Sequence, residues 1–98
     1  MAIHTYFEGA AAVATLPTYK IGQTPYTVQV HLVGASPVGT VVAELYHGLE
    51  AGKLVKYADV NIANGAIFLD NQTKKVGYFA VKITSVTGTP TVKVLVLN

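Results

Sequence analysis

The chain has no cysteine, no arginine and no tryptophan, and it carries few charges of either sign. Each absence excludes something. Without cysteine there is neither a disulfide framework nor a thiolate metal site, so core packing alone must hold the fold. All seven basic residues are lysine. The planar guanidinium fork that reads phosphate or guanine is therefore missing, and no nucleic-acid partner is expected. Charged residues make up 12% of the 98 positions while hydrophobic residues make up 51%, and the former is about half the ordinary share. A chain so poor in charge either buries a second surface against a partner or risks aggregation. Its longest stretch free of charge runs from Ile21 to Ala43, yet Gln23, Pro25, Gln29 and Pro37 interrupt it. That is no membrane span, and the opening MAIHTYFEG lacks the basic and apolar regions of a signal peptide. No membrane partner is expected.

What the chain does have is alternation. Tyr26, Val28, Val30 and Leu32 alternate with Thr27, Gln29 and His31; Val41, Ala43 and Leu45 alternate with Val42, Glu44 and Tyr46. A period of two is the signature of a half-buried strand. Gly48 to Gly52 then turns the chain into a return strand over Lys53 to Ile62, and the two read as a hairpin. Asn64-Gly65 is a turn dipeptide leading into a short strand over Ala66 to Leu69. Asp70 to Lys75 is the most polar segment and reads as an exposed loop. Val76 to Asn98 reads as two strands joined by a tight turn at Thr87-Gly88-Thr89-Pro90, with Phe79, Val81 and Ile83 on one face of the first strand and Val92, Val94 and Val96 on one face of the second. Gly22-Gln23-Thr24-Pro25 and Gly34-Ala35-Ser36-Pro37 are further turns. Six to eight short strands without a helical period indicate one all-β domain, an antiparallel sandwich or jelly-roll-like barrel, over residues 18–98. Residues 1–17 read as a short edge strand, with Ile3, Thr5 and Phe7 on one side, or as an N-terminal arm whose small apolar residues pack on a neighbour.

Candidate chemistry is sparse. His4, His31 and His47 lie on three different expected strands with no close pair, and read as polar residues on outward faces rather than as metal ligands. Glu8, Glu44, Glu50, Asp59 and Asp70 stand singly, whereas acid–base catalysis needs groups that converge. Ser36 and Ser85 are the only serines, and neither sits in a nucleophile turn. No enzymatic activity, metal or cofactor is expected. Lys74-Lys75 reads as a solubilising spot. Tyr46, Tyr57 and Tyr78 are assigned to an outward face, where stacked rings suit either a subunit contact or a sugar, so a carbohydrate-binding module is the alternative reading.

Two stretches resemble the small β-sandwich structural proteins of tailed-bacteriophage virions. One is Val42-Ala43-Glu44-Leu45-Tyr46-His47-Gly48-Leu49-Glu50-Ala51-Gly52-Lys53-Leu54-Val55, followed by the turn at Asn64-Gly65; the other is the Thr-rich run from Ile83 to Val92. The resemblance covers about Tyr26 to Leu97 in general character rather than in a motif. It implies a non-enzymatic virion protein of the decoration, head-fibre or neck and tail accessory type, attached to a larger shell or tail protein. The residues agree on one point. Leu95 and Leu97 lie opposite Val92, Val94 and Val96, so the last strand is apolar on both faces toward its end, and such strands are usually covered on both. A homo-oligomer, a trimer or other cyclic ring, is expected, with Leu95, Leu97, Val13 and Ala11 at its interface.

Overall fold

A computed structural model describes residues 2–22 and 25–98 of the chain. The turn expected at Gly22 to Pro25 therefore falls partly outside the described residues, as does Met1. Among the described residues there are nine strands and no helix: β1 (Ile3–Ala10), β2 (Ala14–Thr15), β3 (Tyr19–Lys20), β4 (Tyr26–Leu32), β5 (Thr40–Gly48), β6 (Val55–Ala63), β7 (Ile67–Gln72), β8 (Tyr78–Thr87) and β9 (Thr91–Leu97). They form two antiparallel sheets. One has the order β1-β9-β4-β7; in the other β8 pairs with β5, β5 with β6, and β2 and β3 share the far edge of β8. The all-β sandwich expected from the alternation is what forms, with nine strands among the described residues where six to eight were expected, two of them only two residues long.

The core lies between the sheets. Tyr26, Val28, Val30 and Leu32 enter it from β4, Val92, Val94 and Val96 from β9, Val41, Ala43 and Leu45 from β5, and Phe79, Val81 and Ile83 from β8, all buried. β-branched residues predominate because a pleated surface accepts their stiff side chains without loss. Phe79 anchors one end, with the rings of Tyr6 and Tyr26 set edge-on against it at centroid distances of 5.4 and 6.0 Å.

The pairing bears out one expected hairpin and corrects the other. β5 and β6 are hydrogen-bonded neighbours as read, but β8 and β9 are not: the Thr87 to Pro90 turn carries the chain from one sheet to the other, where β9 inserts between β1 and β4. The Asn64-Gly65 turn likewise takes the chain across from β6 to β7. Alternation reports which face of a strand is apolar and says nothing of which edge is paired. The crossing is crowded. A Cβ on Gly39 would stand 2.7 Å from the Thr87 carbonyl, and Gly39 and Gly88 have φ of 133° and 78°, a region open chiefly to glycine. Asn64, at φ 53°, receives the Gly39 N–H on its Oδ1 at 3.2 Å.

Three register shifts interrupt the pairing, and two of them overturn faces expected from the alternation. The shift between Thr5 and Phe7 leaves Ile3 and Thr5 outside but turns Phe7 inward, so these three residues do not share a side as expected. The shift opposite Leu45 and Tyr46 puts Tyr57 out of register, with Lys56 paired to Tyr46 and Ala58 to Leu45. A bulge re-aims side chains without ending the strand. The expected loop at Asp70 to Lys75 begins later, since Asp70, Asn71 and Gln72 extend β7 and pair with Val28, Thr27 and Tyr26.

Residues 2–17 are tied to their own chain. β1 runs the length of β9, the Tyr6 hydroxyl donates to the Pro17 carbonyl at 2.5 Å and accepts the Val81 N–H at 3.3 Å, and the Leu16 N–H reaches the Val81 carbonyl. The segment thus begins in one sheet and crosses to the edge of the other. Removing residues 2–10 should lower the stability of the domain, on the order of 3 kcal/mol for the half-buried Tyr6 and Phe7 alone, and urea denaturation would read this as a lower midpoint. An unchanged midpoint would mark the segment as a separable arm.

Candidate assembly surface

The outer face of the β1-β9-β4-β7 sheet is built from the residues that the pleat turns away from the core. The register aligns them in rows across the four strands. Ile3, Leu97, Thr27 and Asn71 form one row; Thr5, Leu95, Gln29 and Leu69 form the next; Glu8, Lys93, His31 and Ile67 form the third. The first two rows hold no charge. Their apolar members enclose a shallow depression of about 130 Å³ between Ile3, Thr27, Gln29, Leu69, Leu95 and Leu97. Leu95 and Leu97, at the centre, are half-buried by their neighbours, whereas Ile3, Ile67 and Leu69 at the margins are 69%, 63% and 65% exposed. The only ion pair on this face among the described residues, Lys93 Nζ to Glu8 Oε1 at 3.7 Å, sits in the third row. A solvated pair of this kind contributes little to stability.

Leu95 and Leu97 therefore occupy the middle of an apolar face, but Val13 and Ala11 do not join them. Ala11 packs on its own core. Val13 is 66% exposed on the crossover after β1, near the Pro90 end of β9, where Ala11 N–H meets the Pro90 carbonyl. Leu97 lies at the other end of that strand, about 20 Å away at the ordinary rise per residue. Ile3, Ile67 and Leu69 were not singled out from the sequence. A signal existed in the alternation of Ile67 and Leu69 around Phe68, which packs inward.

The opposite outer face, on the five-stranded sheet, is polar. Lys56 Nζ bridges Glu44 Oε2 at 3.1 Å and Asp59 Oδ1 at 2.7 Å, and the Tyr46 hydroxyl donates to Glu44 Oε1 at 2.8 Å. That hydrogen bond, and then Lys56, holds the Glu44 carboxyl below its usual range, while the same bond raises the Tyr46 phenol. Beside it an open groove of about 300 Å³ runs between Thr15, Thr18, Tyr46, Leu54, Ala80 and Lys82.

Tyr57 departs from the outward face assigned to it. Aimed inward by the bulge, its ring stacks on His47 with centroids 4.0 Å apart and planes 13° from parallel. His47 is itself buried, 4% exposed, which corrects its reading as an outward polar residue: it continues the inward set of Val41, Ala43 and Leu45. The Tyr26 hydroxyl lies 3.1 Å from His47 Nδ1 and 3.4 Å from the Tyr57 hydroxyl. Either the phenol donates to the imidazole and accepts from Tyr57, or the imidazole donates to the phenol, which then donates to Tyr57. The first arrangement needs a neutral histidine, because a protonated Nδ1 cannot accept. Only Tyr46 and Tyr78 remain on the outer face, so no three-ring platform forms. No cluster of three His, Asp or Glu able to hold a metal exists among the described residues.

Burial, and then the Lys74 cation, push the His47 imidazole below its ordinary value, with Asp70 opposing. The unfolded chain binds this proton below pH ~6.5 and the native protein resists it. The stability contributed by a neutral His47 is thus full above pH ~6.5 and declines as pH falls toward the depressed native value. Chemical denaturation should show the domain losing stability between about pH 7 and pH 5.5, above the ordinary carboxylate range. His47→Gln should flatten that slope, and an equal slope in the variant would place its origin elsewhere.

No protein-family model matches this chain, and no curated protein sequence matches it. In structure the chain is similar to the SPBc2 prophage-derived protein YomS, with a TM-score of 0.62 at 17% identity over 99% of this chain and 92% of that one. A likeness at that identity shows a shared fold.

Proposed function

We propose that this protein is a non-enzymatic structural subunit of a bacteriophage particle that self-associates through the outer face of the β1-β9-β4-β7 sheet. The observation that carries the reading is the pair of charge-free rows around Leu95 and Leu97. A face of this kind on so small a domain is stabilised when covered, at about 25 cal/mol per Å² of apolar surface removed from water. Support for the setting comes from the prophage origin of the similar structure and from the likeness of the Val42 to Val55 and Ile83 to Val92 stretches to virion sandwich proteins. A ring, a trimer among the possibilities, attached to a larger shell, neck or tail protein is the arrangement proposed, with the virion as its location. The carbohydrate reading is not favoured, because Tyr57 is committed to His47 in the interior and the Tyr46 hydroxyl to Glu44.

Leu97→Asp tests the reading. The side chain is on the outside of its strand, so the domain should keep its circular dichroism spectrum and melt cooperatively. Sedimentation should show a shift from oligomer to monomer, with the association constant falling at least about tenfold for one desolvated carboxylate. An oligomer of unchanged mass in Leu97→Asp, or a wild-type protein that is monomeric at high concentration, would remove the sheet face from consideration.

A further inference from the structure

The sandwich is electrically one-ended. The turns at residues 11–13, 33–39, 64–66 and 88–90 meet at one end and contain no charged residue. At the other end lie the β5–β6 turn, the β7–β8 loop and the β3 edge, joined where the Gly77 N–H meets the Gly48 carbonyl and the Ile21 N–H meets the Gly77 carbonyl. Lys20, Lys53, Lys74 and Lys75 all project from these segments and all are exposed. Against them stands one carboxylate side chain in the same loops, Glu50. None of the four lysines has a carboxylate within ion-pairing distance among the described residues, whereas Lys56 and Lys93 are paired. Four of the seven lysines on one end and none at the other is not the distribution of a solubilising coat.

We infer that the lysine-bearing end is a docking surface for an acidic protein segment. The inference goes beyond the self-association of the sheet face and does not rest on it. A second copy of the chain presents no free cluster of carboxylates to serve as the occupant. Glu8 is engaged by Lys93, Glu44 and Asp59 share Lys56, and Asp70 is half-buried on the inward side of β7. Glu50, the remaining carboxylate, lies in the basic end itself. A complementary surface must come from a different molecule, and charge complementarity makes it anionic. An acidic polypeptide fits better than nucleic acid. Lysine presents compact, flexible point charges without the planar fork that reads bases and phosphates, and the ring of Tyr19 beside Lys20 is already engaged by Tyr6 and His4, leaving at this end the single half-buried ring of Tyr78 rather than a run of aromatics on which successive bases stack.

The test uses the full chain and a fluorescently labelled poly-L-glutamate as probe, with labelled oligothymidylate as the comparison. Anisotropy at about 0.05 M salt should show saturable binding of polyglutamate that weakens steeply toward about 0.3 M, as the screening length shortens. Lys75→Glu should reduce the affinity at least about fivefold, while Lys82→Glu, which makes the same change of charge on the outer face of the five-stranded sheet, should change it less than about twofold. Loss confined to the loop variant supports the docking end. Absence of polyglutamate binding, equal loss in Lys82→Glu, or tighter binding of oligothymidylate than of polyglutamate would overturn it. Oligomer mass measured in parallel separates this surface from the sheet face: the loop variant should keep the wild-type mass, and Leu97→Asp should keep polyglutamate binding.

Discussion

β9 is hydrogen-bonded along both edges, to β1 on one side and β4 on the other, and the rest of the molecule follows from that double pairing. A strand held on both edges cannot rotate or slip, because a shift of one residue would send Val92, Val94 and Val96 out of the core and the residues between them in. The pleat then leaves Lys93, Leu95 and Leu97 on the outside. With β1 and β4 locked in the same register, Ile3, Thr5, Thr27 and Gln29 come to stand beside the two leucines. A patch assembled from four separate segments thus depends on one strand occupying the middle of its sheet.

The chain reaches that arrangement by crossing between sheets at nearly every connection. Among the described residues, only β5 and β6 are consecutive strands of more than two residues that pair with one another. Four of the crossings meet at the uncharged end, and their close approach accounts for the glycines there: Gly39 sits against the Thr87 carbonyl and the Pro90 ring, at a φ that a side chain would strain. Bulges do the complementary work within strands. One turns Phe7 into the core from a strand that begins with Ile3 outside; the other delivers Tyr57 to His47.

The opposite end is closed differently. Tyr26, His47 and Tyr57 bury three polar side chains in mutual contact, and each finds a partner there, which is the condition for polar groups to be tolerated in a core. Their arrangement binds β4, β5 and β6 at the level where the sheets open toward the lysine-bearing loops. One apolar sheet face, one neutral end and one basic end give a small domain three chemically distinct surfaces, and the paired charges Glu8–Lys93 and Glu44–Lys56–Asp59 keep the remaining faces nearly neutral.

The sequence by itself determined the fold class, most of the core and the two-sided character of the last strand. These are properties of alternation, and alternation is local: Val28 and Val30, or Val94 and Leu95, declare their faces within a few residues of chain. It could not determine which strands are neighbours, since edges carry no side-chain signal, and so β8 and β9 read as a hairpin although they lie in opposite sheets. Nor could it announce the bulges at Tyr6 and Tyr57, because one inserted residue reverses every face beyond it while leaving the composition unchanged. The meeting of His47 with Tyr26 and Tyr57 and the gathering of Lys20 and Lys53 beside Lys74 and Lys75 were decided by tertiary structure alone, for these residues are distant in the chain and meet only because the strands that carry them end at the same level.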